Sequence, residues 1–201
     1  MSDTYGTNWE FWLFLALTLL RQAPVLIQLY RTRRMEALRS THVFSGMMIA
    51  FLYIVIWIIS IIFLLLTRPS VVAVGFGTSL LTIGIGIRFV ALVQLGLSYS
   101  VGIVIREGHT LKTSGIYALV RHPLHLALLV ELLGMIVFTE TWWSMPLWLV
   151  LIGMILIRNR QEDRILIENF GNEALKYQAT TPSMNLMAHL ARKFRSTRDS
   201  V

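Results

Sequence analysis

The chain has 201 residues, of which 55% are apolar and only 14% are charged, and its mean hydropathy is +0.64. Soluble domains carry roughly 25% charged residues, so this composition indicates a membrane protein. A membrane-spanning helix takes about 20 residues, and five of them would leave no room for a separate soluble catalytic domain. The absence of cysteine excludes disulfides, thiolate nucleophiles, iron–sulfur clusters and cysteine-ligated zinc.

Five apolar segments predict an all-α membrane protein with five transmembrane helices. They run from Trp9 to about Tyr30, from Val43 to Leu66, from Val71 to Leu97, from Leu124 to Phe138 and from Trp142 to Ile157. The first is interrupted by Arg21, Gln22 and Pro24. Only residues 139–141 separate the last two, which predicts a helical hairpin.

Basic residues predict the orientation of these helices. Fifteen of the 18 Lys and Arg residues fall on one side of the membrane, Arg21 and Arg88 fall inside helices, and Arg68 alone falls on the other side. Because basic loops stay in the cytoplasm, we expect the N-terminus outside and the 98–123 loop and the C-terminal tail inside. The net charge of +7 then requires no nucleic acid as a partner. The compact chain favours a bacterial inner membrane over the endoplasmic reticulum.

The tail from Met184 to Arg198 combines apolar residues at helical spacing with basic residues. This pattern is typical of a helix that lies on an anionic membrane surface, and a frayed basic terminus is the alternative.

Two glycine patterns, Gly75-Phe76-Gly77 and Gly84-Ile85-Gly86, lie inside the third apolar segment. Both lack the third glycine and the preceding strand of a dinucleotide-binding motif. We therefore expect them to allow close helix packing. Of the five histidines, only His122 and His125 are near each other, so we expect no metal site.

Ionisable residues inside the membrane are costly, and Arg21, Arg88 and Glu131 are therefore functional candidates. The alternative is that each of them is part of a structural ion pair within the helical bundle.

A polar cluster, Arg121-His122-Pro123-Leu124-His125, stands at the start of the fourth apolar segment. Proline disfavours helix at the residue before it and suits the first helical turn. We therefore expect Arg121 and His122 in a turn at a helix N-terminus, where backbone N–H groups and a partial positive charge can hold a carboxylate. A simple membrane-flanking Arg-His pair is the alternative.

A second cluster follows the fifth segment. If that helix continues into the cytoplasm, Arg158 and Glu162 are four residues apart and share a face. Arg158 could then meet the polar head of a lipophilic substrate, whereas a solvated charged face is the alternative.

Together these motifs resemble the isoprenylcysteine carboxyl methyltransferase family and its prokaryotic relatives. The resemblance is carried by His109-x-Leu111-x-Thr113-Ser114-Gly115-Ile116-Tyr117-x-x-x-Arg121-His122-Pro123, the helical hairpin, Arg158-x-x-x-Glu162-Asp163 and Phe170-Gly171. It covers roughly residues 95–185, while the first two apolar segments carry little of it.

The resemblance implies an integral membrane enzyme that uses S-adenosylmethionine and takes a lipophilic or lipidated acceptor from the bilayer. Residues 1–97 would form an N-terminal part of three transmembrane helices, and residues 98–201 a catalytic half in which the cytosolic loop and a C-terminal helix hold the cofactor. By position, the resemblance implies cofactor contacts at His109, Leu111, Lys112, Tyr117, Arg121, His122, Pro123, Leu124, His125 and Glu162. It also implies that Arg158 orients the substrate carboxylate.

Three positions depart from the family pattern. The family's Arg-His-Pro-x-Tyr ends in His125, its Glu-Glu pair is Glu162-Asp163, and the first tyrosine of its Phe-Gly-x-x-Tyr-x-x-Tyr is Ala174. Methyl transfer to a carboxylate requires mainly positioning and exclusion of water. An amine or thiol acceptor would also require a base, and His125 or His122 could serve.

Two other functions stay open. A membrane lipid reductase similar to the sterol reductases predicts NADPH binding, although the sequence has no separate clamp for the 2′-phosphate. A small transporter or assembly subunit predicts that substitutions of Arg21, Arg88 and Glu131 matter more than those of Arg158 or Glu162.

Overall fold

The computed structural model describes residues 9–32, 39–41, 43–96, 103–105 and 111–184, and long helices dominate it. The helices are α1 (Trp9–Leu20), α2 (Gln22–Thr32), α3 (Val43–Leu66), α4 (Val71–Leu95), α5 (Pro123–Thr139), α6 (Met145–Phe170) and α7 (Asn172–Thr180). Single 3-10 turns lie at Gly115–Ala118 and Trp142–Ser144. Two short strands, β1 (Arg39–Thr41) and β2 (Ile103–Ile105), pair antiparallel and join two loops far apart in sequence.

Four helical segments are long and apolar enough to cross a membrane, namely Trp9–Ile27, Phe44–Leu66, Val71–Leu95 and Trp142–Phe170. The fourth predicted span is α5, a shorter apolar helix of 17 residues, about 26 Å long. Many large apolar side chains lie on the outer surface, such as Val71, which is 78% exposed. A surface of this kind is stable in lipid. The predicted all-α, polytopic membrane fold is confirmed, with four long apolar helical segments and one shorter apolar helix among the described residues.

The first predicted helix is divided in two at Arg21, which lies in a turn between α1 and α2. The Arg21 N–H still donates to the Leu17 carbonyl at 3.0 Å, so backbone hydrogen bonding continues into this turn. Pro24 lies in the first turn of α2, where its missing N–H costs nothing. The polar interruption seen in the sequence therefore has a structural counterpart.

The last predicted span continues as helix past Ile157 to Phe170 in α6, which is the continuation that the shared face of Arg158 and Glu162 requires. It ends where Gly171 takes a φ of +53°, a conformation that glycine adopts at no steric cost. The 140–144 link after α5 makes the predicted helical hairpin with α6.

Glycines let α4 pack closely against α5. A Cβ at Gly77 would collide with the α5 backbone, and a Cβ at Gly84 would lie 3.1 Å from a main-chain oxygen of α5. The predicted close packing is confirmed at these two positions. It was wrong at Gly75 and Gly86, where a Cβ would meet nothing within 4 Å. One glycine of each pair therefore faces the neighbouring helix, and the other faces outward.

Short links bring two turns to the same end of the bundle. The Ser70 hydroxyl and N–H both donate to the Glu140 carboxylate, at 3.0 and 3.1 Å, so the 67–70 turn lies beside the 140–144 link. The opposite end carries the starts of α3 and α5, and we call it the site end. The predicted C-terminal surface helix falls almost entirely on residues 185–201, outside the described residues, and stays a prediction.

Candidate active site

Arg121 and His122 lie in the turn that precedes α5, as their position before Pro123 predicts. His122 is the N-cap residue, its carbonyl accepts the first helical hydrogen bond from the Leu126 N–H at 3.1 Å, and Pro123 occupies the first turn. Proline suits this place because the first turn of a helix has no internal partner for its N–H groups. The prediction of a turn at a helix N-terminus is confirmed.

A C-terminal segment, residues 181–184, crosses this turn, and we call it the strap. The Arg121 N–H donates to the Pro182 carbonyl and the His122 N–H to the Ser183 carbonyl, each at 3.0 Å. These two backbone donors are therefore already used, and anion binding by the N–H groups of the first turn of α5 stays a prediction. Side chains supply further positive charge at this point.

The side chains at the site end form a continuous chain of alternating charge. Arg121 Nη2 lies 2.9 Å from Asp163 Oδ2, and Asp163 Oδ1 lies 3.1 Å from His122 Nε2. His122 Nδ1 lies 3.3 Å from Glu162 Oε2, and Glu162 Oε1 accepts from Arg158 Nε at 2.9 Å. The chain thus connects the turn before α5 to α6. The predicted shared face of Arg158 and Glu162 is confirmed, and it faces other polar residues.

The environment of His122 favours its protonated form. Burial lowers the pKa of His122, but hydrogen bonds and attraction from Asp163 and Glu162 outweigh this effect, so the pKa lies above its usual value. A neutral imidazole carries one N–H, whereas both ring nitrogens of His122 face carboxylates. With His122 charged, the chain holds three positive and two negative groups. This excess of positive charge favours an anionic ligand.

Arg158 reaches beyond its own helix. It is only 5% exposed, and its Nη1 donates to the Ser45 hydroxyl at the start of α3 at 3.1 Å. Together with the bond from Nε to Glu162, this contact connects α3 to α6 at the site end. A guanidinium group held at two of its nitrogens has a fixed plane.

His125 belongs to a separate hydrogen-bonded group beside the charged chain. Its Nδ1 lies 2.6 Å from Asn159 Oδ1, and Asn159 Nδ2 donates to the Ser183 hydroxyl in the strap at 3.3 Å. The His122 and His125 rings stack with centroids 5.9 Å apart. When Asn159 accepts from Nδ1, the neutral His125 ring carries its lone pair on Nε2.

The structure brings five of the predicted site residues into contact with one another or with shared partners. These are Arg121, His122, His125, Arg158 and Glu162. Pro123 and Leu124 follow in the first turn of α5, where Pro123 is buried.

The structure gives the surroundings of three other predicted residues, and a fourth lies outside the described residues. Tyr117 is buried and its hydroxyl is 3.4 Å from the Ala91 carbonyl of α4, while its own carbonyl accepts from the Tyr177 hydroxyl at 2.6 Å. Leu111 is half-buried and Lys112 is exposed. His109 lies outside the described residues, so its predicted role is open to experiment.

His122, His125 and Glu162 each offer one ligand atom, and these atoms lie within 4.8 Å of one another. Together these three residues could hold a metal ion, which the sequence did not indicate. However, both His122 nitrogens face carboxylates, and Glu162 pairs with Arg158. A metal ion would have to displace these partners beside a guanidinium group.

Arg21, Arg88 and Glu131 form an ion triad deep in the bundle, which is the structural alternative raised by the sequence. Arg21 Nε pairs with Glu131 Oε2, and Arg88 donates to both carboxylate oxygens at 2.7 Å. Glu131 is 0% exposed and both arginines are buried. Arg21 also lies over the Tyr53 ring, 4.0 Å from its centroid, so the triad connects α3, α4, α5 and the break before α2.

Sequence reasoning missed several residues that the site uses. Asp163 was noted only as a departure from a pattern, although it bonds both Arg121 and His122. Asn159 lies in the polar part of α6, and the feature that indicates its role is its burial, with 1% exposure. Ser45 and Ser183 carried no recognisable signal, because their partners lie 113 and 24 residues away in the chain.

Comparison with known families identifies this region. The model of the isoprenylcysteine carboxyl methyltransferase (ICMT) family matches residues 74–168, which include α4, α5 and most of α6. The matched region covers 95 of the 201 residues, and over these residues the chain is similar to the ICMT family. The match begins earlier than the resemblance in the sequence and stops before Phe170-Gly171. The apolar helices make this chain an integral membrane protein, and the match relates it to a family of methyltransferases.

No curated protein sequence matches the chain.

Proposed function

We propose that this protein transfers a methyl group from S-adenosylmethionine to a carboxylate on a lipophilic acceptor that reaches the site from the bilayer. The observation that carries the proposal is the positively charged chain from Arg121 to Arg158 at the end of the bundle, inside the region that matches the ICMT family. Methyl transfer from a sulfonium is an in-line displacement, so the protein contributes mainly positioning and exclusion of water.

The residues of the site fit this cofactor. Arg121 Nε is buried and has no hydrogen-bond partner among the described residues, although Nη1 and Nη2 are both paired. A buried donor of this kind is costly unless a ligand uses it. We propose that Arg121 Nε binds the carboxylate of the cofactor's amino-acid part beside the His122 ring and that Glu162 contacts its cationic or hydroxyl groups. Bound S-adenosylmethionine supplies the reactive methyl group.

Arg158 would orient the acceptor carboxylate. A guanidinium group can donate two parallel hydrogen bonds to a carboxylate, which fixes the direction of the attacking oxygen. The hydrogen bond between Arg158 and Glu162 supports an acceptor site next to the proposed cofactor contacts. Leu111, Lys112, Tyr117, Pro123, Leu124 and His109 are proposed as further cofactor contacts on the family resemblance alone.

An acceptor that must lose a proton, such as an amine or a thiol, is a second candidate. The bond between His125 Nδ1 and Asn159 Oδ1 favours it, because Nε2 then carries a lone pair that can take the proton. His122 suits this role less well, since both of its ring nitrogens face carboxylates and its pKa is raised. A pH–rate profile that is unchanged in His125→Ala would rule out His125 as the base.

The first experiment is calorimetric titration of S-adenosylhomocysteine into the detergent-purified protein. We expect saturable binding that is lost in Glu162→Ala and kept in Glu168→Ala, an exposed glutamate on the same helix. NADPH is the parallel ligand, because a reductase would bind it instead. Absence of S-adenosylhomocysteine binding to folded protein would refute the methyltransferase proposal.

Membrane placement is part of the same proposal. The bias of basic residues supports a cytoplasmic site end, with the N-terminus on the opposite side. A bacterial inner membrane is the proposed location. Residues 1–97 and 98–201 are proposed as an N-terminal part and a catalytic half.

A further inference from the structure

Two residues at the start of α3 lie against the Arg158 guanidinium, although they come from the N-terminal part of the chain. Ser45 Oγ accepts from Nη1 at 3.1 Å, while Nε donates to Glu162 at 2.9 Å. The two contacts come from different helices, and Ser45 and Arg158 are separated by 113 residues. Because the guanidinium group is rigid and planar, contacts at Nε and Nη1 fix the orientation of the whole group.

Gly46 leaves the space that this orientation needs. A Cβ at this position would lie 2.8 Å from Arg158 Nη1, 3.6 Å from Cζ and 3.8 Å from Nη2. These are the three heavy atoms that such a Cβ would meet first, so the guanidinium lies directly over Gly46. A methyl group here would push the end of a flexible side chain, and the helix backbones would not have to move.

We infer that Ser45 and Gly46 are positioning residues of the active site, which hold the Arg158 guanidinium in the plane that meets the acceptor carboxylate. The inference rests on the proposed function, in which Arg158 orients that carboxylate. It extends the site to the start of α3, outside the residues that match the ICMT family. A guanidinium group that is turned out of this plane pairs less well with the acceptor carboxylate, which gives these contacts a direct effect on acceptor binding.

Kinetics of three variants test this inference in the full-length protein. The acceptor is N-acetyl-S-farnesyl-cysteine, an isoprenylcysteine carboxylate, and the methyl donor is radiolabelled S-adenosylmethionine. We expect Ser45→Ala to reduce kcat/KM about tenfold, mainly through KM for the acceptor, as for the loss of one hydrogen bond to a charged group. Ser45→Thr keeps the hydroxyl group, and its activity is expected to be close to that of the wild type. Gly46→Ala reduces activity at least as much as Ser45→Ala.

The matched control is Gly86→Ala, because a Cβ there meets nothing within 4 Å. This variant is expected to behave as wild type. In all variants the affinity for S-adenosylhomocysteine and the thermal midpoint should stay near those of wild type. Unchanged acceptor KM in both Ser45→Ala and Gly46→Ala would overturn the inference. A loss of activity that is fully explained by unfolding of the variants would also overturn it, since a purely structural contact predicts that result.

A second measurement separates this inference from the proposed function. The Arg158 Nε–H signal in ¹⁵N NMR spectra of the detergent-solubilised protein is assigned by its loss in Arg158→Lys. We expect it to shift in Ser45→Ala and in Gly46→Ala and to stay in place in Gly86→Ala. A signal that is identical in all three refutes the positioning role, even if the wild type binds S-adenosylhomocysteine. Conversely, failure of that binding refutes the proposed function whatever the NMR result.

Discussion

His122 is the residue whose charge state most directly affects the site. Its neighbours are Glu162 and Asp163 on α6, Arg121 beside it and the stacked ring of His125. Because the folded-state pKa lies above the value of about 6.5 expected for the unfolded chain, protonation stabilises the folded protein. This stabilisation is fully present below that value and is lost as pH rises through the folded-state pKa.

We therefore expect the thermal midpoint in detergent to fall as pH rises from about 6 to about 9. In His122→Gln, which has no titratable ring, the decrease over this range should be smaller. The measurement is a series of thermal unfolding curves for both proteins in matched buffers. Parallel curves for wild type and variant would contradict the role assigned to His122.

Metal removal is a second test at this scale. In-line methyl transfer needs no Lewis acid, and the donors of His122 and Glu162 already have partners in the charged chain. We expect EDTA treatment followed by dialysis to leave S-adenosylhomocysteine binding unchanged within a factor of about two. Restoration of lost binding by added Zn²⁺ would instead identify His122, His125 and Glu162 as metal ligands.

Residue types close together in the chain could be assigned to the site from sequence, and distant partners could not. Pro123 placed Arg121 and His122 in a turn because proline restricts the residue before it. The i, i+4 spacing placed Glu162 beside Arg158. Nothing local predicts that Ser45 would meet Arg158 or that Ser183 would meet Asn159, since those contacts depend on how separate elements pack.

At the level of helices, α4 and α5 depend on small residues at their contact. Gly77→Ala would place a methyl group against the α5 backbone, which cannot give way like a side chain. We expect a loss of about 1–3 kcal/mol in the free energy of unfolding, as for other overpacked interiors. Thermal unfolding in detergent measures it, with Gly75→Ala as the control on the open face of the same helix. Equal midpoints for the two variants would argue against close packing at Gly77.

The ion triad is the second feature that joins helices. Glu131→Gln would leave Arg21 and Arg88 buried without their carboxylate, and breaking one partner of a buried pair costs about 3–5 kcal/mol. We expect a thermal midpoint far below that of Glu140→Gln, a variant at the partly exposed end of α5. If Glu131→Gln is as stable as Glu140→Gln but inactive, the triad serves catalysis and not structure.

Hydropathy predicted where the helices lie and missed where some of them end. The signal follows contact with lipid, so it stops at Ile157, whereas the hydrogen-bonded helix α6 runs on to Phe170. In the first segment the polar residues predicted the break between α1 and α2 at Arg21. A charged side chain inside the bundle needs a partner of opposite charge, which for Arg21 is Glu131. Glycine spacing predicted that α4 packs closely against another helix, but not which glycine of each pair makes the contact.

For the whole molecule, the orientation in the membrane is the main property left to measure. The chain contains no cysteine, so single-cysteine variants can be made without removing any native residue. In bacterial cells, we expect a membrane-impermeant maleimide to label Arg68→Cys, on the side with few basic residues, and not Lys176→Cys in α7. After the membrane is permeabilised, both should react. Labelling of Lys176→Cys alone in intact cells would reverse the topology.

The triad also has a consequence for how the protein is made. Glu131 is synthesised 110 residues after Arg21 and 43 residues after Arg88. Until it arrives, the two arginines stand in the nascent chain with no carboxylate to neutralise them, and the bilayer penalises each of them. The first three apolar segments therefore cannot pack stably together until the fourth, α5, has been synthesised. We expect a polypeptide that ends at residue 97 to be degraded in cells when it is expressed alone. We expect it to persist when residues 98–201 are expressed with it as a second chain.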